Sequence, residues 1–260
     1  MRKPLLSVFI FITAAYFGFA QTAPITGKQQ TTTNWNPATS PVSDGLWSNP
    51  ANWSGGTVPV TGSKAYINNA AVPCIVNSKA GGGQISIGEG GNGSLIVANG
   101  GNLSAGDTNL VNPQDTHEFH DHGWTAIGYN QTGEMVISSG GSATFHYHLW
   151  IGFKAGARGT FTMNGGTASV AARLGLGTDG GTGVAHINGG TLTLAQLGAG
   201  DVKGTGSVLD ISGGTVIIKG NDVTTVNGLV SSNKITAYGG VGTVNVSYDG
   251  SATIITGTRR

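Results

Sequence analysis

"SSGGSATFHYHLWIGFKAGARGTFTMNGGTASVAARLGLGTDGG", residues 138–181, carries one pattern twice. A glycine doublet (Gly140-Gly141, then Gly165-Gly166) is followed by alternating residues and then by a glycine behind an apolar residue, Gly152 and Gly177. The interval from the second doublet glycine to that marker glycine is 11 residues both times. Counted from the doublet, even positions read Ala143, Phe145, Tyr147, Leu149, Ile151 and then Ala168, Val170, Ala172, Leu174, Leu176. Odd positions read Ser142, Thr144, His146, His148, Trp150 and then Thr167, Ser169, Ala171, Arg173. Period-2 alternation is the mark of a half-buried strand, so the even set points inward and the odd set meets solvent.

The pattern extends along the chain. Doublets begin after Asn99, Ser139, Asn164, Asn188 and Ser212, at spacings of 40, 25, 24 and 24, and the marker glycines Gly128, Gly152 and Gly177 are 24 and 25 apart. Two independent markers share one period. A period of about 24 residues made of short strands and Gly-rich corners predicts an all-β fold, a single-stranded parallel β-helix or β-solenoid. Each coil adds about 4.8 Å, the distance between paired strands. Stacking in this register sets His146 on Ala171 and His148 on Arg173.

One interval breaks the rule. From Gly101 to Gly128 there are 27 residues instead of 11, an insertion of about 16 that is close to "DTNLVNPQDTHEFHDH", residues 107–122. It holds His117, His120 and His122, and Trp124, where the register resumes, falls in the outward column of His148. Long loops on a rigid solenoid are where such folds place function. Imidazoles spaced His-x-x-His-x-His, beside the His146-x-His148 pair on an adjacent strand, suit a divalent transition metal, zinc or copper. Alternatively, His146 and His148 supply the base and acid for cleavage of a polysaccharide. Arg173 or Lys154 then neutralises a uronate, and Trp124 or Trp150 stacks on a sugar ring. The two chemistries are compatible, and a histidine-rich polar loop without function is the third reading. Glu118, Asp115 and Asp121 read as solvated acids, His186 as a surface histidine beside Thr162 and Asp210, and Tyr147 as core.

The ends of the chain bound the setting. Arg2 and Lys3 before the apolar run Leu5 to Phe19 read as a secretory signal peptide over residues 1–20, with a mature chain from near Gln21 that is secreted, periplasmic or extracellular, and not inserted in a membrane. Its removal takes two cations and no acid, so the formal charge of +1 becomes about −1, which gives no reason to expect a nucleic-acid partner. Cys74 is the single cysteine, so no internal disulfide forms and Cys74 reads as a small buried hydrophobe. The 46 glycines and 10% charged residues would suit disorder, but 38% hydrophobic content with regular β-branched runs favours packing. Residues 21–45 read as an N-terminal segment ahead of the solenoid at 46–260. The stretch "DGLWSNPANWSGGTVPVTGSKAYINN" reads as a cap over its open end, which makes Trp47 and Trp53 structural.

"LWSNPANWSGGTVP", followed by "LWIGFKAGARGTFTMNGGTASV" and "LGLGTDGGTGVAHINGGTLTL", resembles the bacterial secreted and surface β-helix repeats of the autotransporter-associated and PEP-CTERM-linked kind, from about Leu46 to Thr256. The resemblance implies a right-handed parallel β-helix and little about function, since the repeat occurs in adhesins, passenger domains and proteins of unassigned role. The chain departs from it in being short and in carrying the histidine insertion. By analogy with free-standing β-helices, the expected function is cleavage of an extracellular polysaccharide by β-elimination at a uronate. His146 or His148 is the base, and Arg173 or a metal held by His117, His120 and His122 is the cation. Glycoside hydrolysis fits less well, because it usually needs two carboxylates and the outward face around His148 shows none. The alternative is a non-catalytic glycan-binding or adhesin-like surface protein.

Overall fold

The computed structural model of the protein describes residues 31–38, 43–106 and 123–260. Residues 1–20, expected to be a signal peptide, and the insertion 107–122, with His117, His120 and His122, lie outside the described residues. The described chain is all-β, interrupted by three short 3-10 turns and by one helix, Val223–Ser231.

Strands from successive repeats pair in parallel and in register, forming three ladders. In the first, Ser63–Ile67, Gln84–Ile87, Thr125–Ile127 and Leu149–Ile151 follow one another and end on residues 174–176. The second runs through Gly93–Val97, Thr132–Ile137, residues 158–163 and 182–187, Val208–Ile211 and Ile235–Ala237. The third runs through Lys79–Gly82, Asn102–Ala105, Ser142–Phe145, residues 167–170 and 191–194, and Thr215–Lys219. His148 falls opposite Arg173 and Trp124, because Leu149 pairs with Leu174 and with Thr125.

The repeat enforces this register through its inner side chains. Ile87, Ile127, Ile151 and Leu176 stack in one column, and Leu95, Met135, Phe161, Ala185 and Leu209 in another, all fully buried in one continuous core. Each large apolar side chain so placed stabilises by roughly 1.5–3 kcal/mol, and a one-residue slip would turn a whole strand's set outward. The marker glycines are needed at the corners. Gly128 and Gly152 have φ of 72° and 65°, and a Cβ on either would lie 2.2 and 2.0 Å from the carbonyl oxygens of Arg158 and Thr182 in the next repeat. Cys74 belongs to the same core, where burial pushes its thiol up.

The two ends differ from the middle. Trp35, Trp47 and Trp53 are buried together in edge-to-face contacts 5.0 and 4.8 Å between centroids, joined by the Trp53 indole N–H donating to the Trp47 carbonyl at 2.7 Å. At the other end the parallel pairing stops short of the expected extent. Ala252–Thr258 runs antiparallel to both Thr215–Lys219 and Thr243–Tyr248. A parallel stack would leave its last edge open, and a reversed hairpin covers it.

Candidate functional site

From Gln84 onward the first ladder is covered on its outer side as well as its inner one. Its outward column runs Ser86, Ala126, Trp150, Gly175. Trp150 can lie flat there because its neighbour in the next repeat has no side chain: a Cβ on Gly175 would sit 2.4 Å from both Cε3 and Cζ3 of the indole. The residue after each marker glycine, Tyr129 and then Phe153, folds over the same face. Trp124 stacks on Tyr129 (5.4 Å, 9°), Tyr129 meets Phe153 at 5.6 Å, and Trp150 stacks on Phe153 (5.7 Å, 25°). This aromatic layer is separate from the main core. Burial, and then the charge of Glu89, push the Tyr129 hydroxyl up.

Trp124 and Trp150 therefore do face outward from the ladder, but as members of a packed layer, 5% and 4% exposed. Tyr147, expected inside, packs against this layer instead, because the chain turns a corner between Phe145 and Leu149.

Beside the layer lies a groove of about 250 Å³, lined by Trp150, Phe153, Lys154, Arg173, Thr178, Asp179, Gly200 and Lys203. Its three cations are in different states. The Arg173 guanidinium donates through Nε and Nη2 to Oδ1 of Asp201, a carboxylate only 1% exposed that also accepts from the Gly198 N–H at 2.6 Å. Lys154 Nζ is 2.7 Å from Asp179 Oδ2 and 4.7 Å from the centre of the Phe153 ring. Lys203 is exposed and makes no ion pair among the described residues. On the groove wall the Thr178 hydroxyl is buried without a hydrogen-bond partner among the described residues.

The expected sites come together only in part. Trp150, Lys154 and Arg173 border one groove, and Trp124 belongs to the layer beside it. Arg173, expected to neutralise a uronate, is already paired with the buried Asp201 carboxylate. The two histidines engage neighbours on opposite sides along the stack. His148, 6% exposed, accepts at Nδ1 from the Arg173 backbone N–H of the following repeat (3.1 Å) and lies against Tyr147 and Trp150. His146 is exposed, and its Nε2 is 2.9 Å from the Ser104 hydroxyl of the preceding repeat. Among the described residues no group of three or more His, Cys, Asp or Glu converges as a metal site. No helix of the described chain is long and apolar enough to cross a membrane.

Several residues of the site were not picked out from the sequence. Tyr129, Phe153 and Thr178 each follow a marker glycine, and Asn130, Lys154 and Asp179 come next, so two of its columns are visible in "AIGYN", "WIGFK" and "GLGTD". Asp201 and Lys203 lie where the periodic alternation lapses and carry no such signal. Comparison with family models, with curated proteins and with solved structures gave no match.

Proposed function

We propose that the three ladders are the faces of a single-stranded right-handed parallel β-helix, and that the protein is a secreted glycan-binding protein whose groove beside Trp150 holds an acidic extracellular polysaccharide. The observation that carries this reading is the state of Lys203. It is a cation without an ion-pair partner among the described residues, in a groove whose other walls are an aromatic layer and two cations already neutralised. A sugar ring can lie against the edge of the Phe153–Trp150 stack while its carboxylate meets Lys203. Binding is favoured over cleavage because Arg173 and Nδ1 of His148 are both occupied within the protein. Electrophoresis of the native protein through gels containing a polyuronate, and through gels containing a neutral glucan, tests the proposal. Retardation by the polyuronate alone, weakened by salt, is the expected result. Equal mobility in both gels counts against it.

A second reading keeps the β-elimination chemistry. His148 stands in register between Trp124 and Arg173, with the Tyr147 ring centre 3.9 Å from its own, so an imidazole and a phenol ring are side by side next to a groove-lining arginine. In that reading His146 and His148 serve as base and acid, with a zinc or copper ion held by His117, His120 and His122 as the alternative electrophile. Growth of ultraviolet absorbance from unsaturated uronate products distinguishes turnover from binding.

A further inference from the structure

We propose that Ser104 and His146 form a nucleophile–base dyad that accepts the acyl group of a small carboxylic ester. The site is separate from the groove and does not depend on its ligand. Ser104 is on the outer side of Asn102–Ala105, in register with Gly81 before it and Thr144 after it. His146 is at the corner just beyond Ser142–Phe145, and its Nε2 is 2.9 Å from Ser104 Oγ. This is the contact by which an imidazole accepts a hydroxyl proton when Nδ1 carries the ring hydrogen.

Gly81 keeps the neighbouring position on the preceding repeat without a side chain. A side chain there would stand beside Ser104, whereas a Cβ built on it meets nothing closer than the Ser104 carbonyl oxygen at 3.4 Å and the Thr61 hydroxyl at 3.6 Å. The Thr61 hydroxyl next to that position is able to donate to a carbonyl oxygen. The His146 side chain is exposed and hydrogen-bonds to no other described residue, so no buried structural role explains the contact.

The step balances with water alone. Ser104 Oγ attacks the ester carbon as its proton passes to His146 Nε2. The tetrahedral adduct then expels the alcohol, which takes that proton. Water, deprotonated by the same nitrogen, releases the acid and restores the serine. Among the described residues no carboxylate holds the far side of the imidazole, and a triad that loses its acid drops by about 10⁴ in kcat. Acylation is therefore the readable event, ahead of turnover.

The test is labelling of the full chain with a fluorophosphonate, which the serine oxygen attacks with loss of fluoride, followed by intact-mass and peptide analysis. One adduct on Ser104 is expected. It should be absent in Ser104→Ala, retained in Ser169→Ala on the same ladder, and slowed by about 10²-fold or more in both His146→Ala and His146→Gln. No adduct on Ser104 in the wild type, or labelling that proceeds equally without His146, overturns the proposal.

Discussion

The first and third ladders are built from the same repeat and handle their outer faces in opposite ways. Ser142–Phe145 alternates half-buried and buried positions, whereas Gln84–Ile87, Thr125–Ile127 and Leu149–Ile151 are buried at every position. In the third ladder water satisfies the outer side and the core does all the stabilising. In the first ladder a second, external layer of Trp124, Tyr129, Trp150 and Phe153 covers it, and the groove opens at the edge of that layer. The sheathed face is the one on which the proposed glycan groove opens.

Substitutions separate the two layers. Phe161→Ala, in the inner column, should cost about 3–5 kcal/mol and lower the unfolding midpoint in denaturant, with the groove lost only as the fold is lost. Asp201→Ala, which leaves Arg173 without its carboxylate, should cost about 2 kcal/mol or more. That is less than a fully buried pair would lose, since Arg173 is 35% exposed, and part of the loss should reappear as a change in glycan affinity. Gly175→Ala adds one methyl group on the outer face and should cost about 1–3 kcal/mol by overpacking, with a red shift of tryptophan emission as the Trp150 indole is pushed toward water. The smallest stability effect belongs to Lys203→Ala, within about 0.5 kcal/mol by thermal unfolding. An indifferent Phe161→Ala, or a Gly175→Ala with unchanged emission, would erase the distinction between the layers.

The same contrast explains what could be read from the sequence. Alternation located the inner residues of 142–151 and 167–176 wherever the strands run straight, and the paired glycine markers set the register that puts His148 beside Arg173. Alternation failed at Tyr147 and Ala172, which share one corner. There the backbone leaves period 2, and the pairing shifts register between Val170 and Arg173. Pattern says which side of a strand a residue occupies but not whether something covers that side, so Trp124 and Trp150 read as solvent-facing when they are packed. Arg173 read as a free cation because its partner, Asp201, lies 28 residues away on an irregular connection, beyond any local rule. The histidines of the insertion were the most conspicuous chemistry in the sequence, but they lie outside the described residues, and the groove is built partly from the marker columns and partly from the irregular connection that carries Asp201 and Lys203.

Calorimetric titration of a soluble oligouronate into wild type, Lys203→Ala and Lys219→Ala tests the central claim most directly, since both lysines are exposed and only Lys203 lines the groove. The account predicts saturable binding that Lys203→Ala weakens roughly tenfold, about 1.4 kcal/mol, and that Lys219→Ala leaves unchanged. Equal weakening by the two substitutions, or no saturable binding in the wild type, would contradict it.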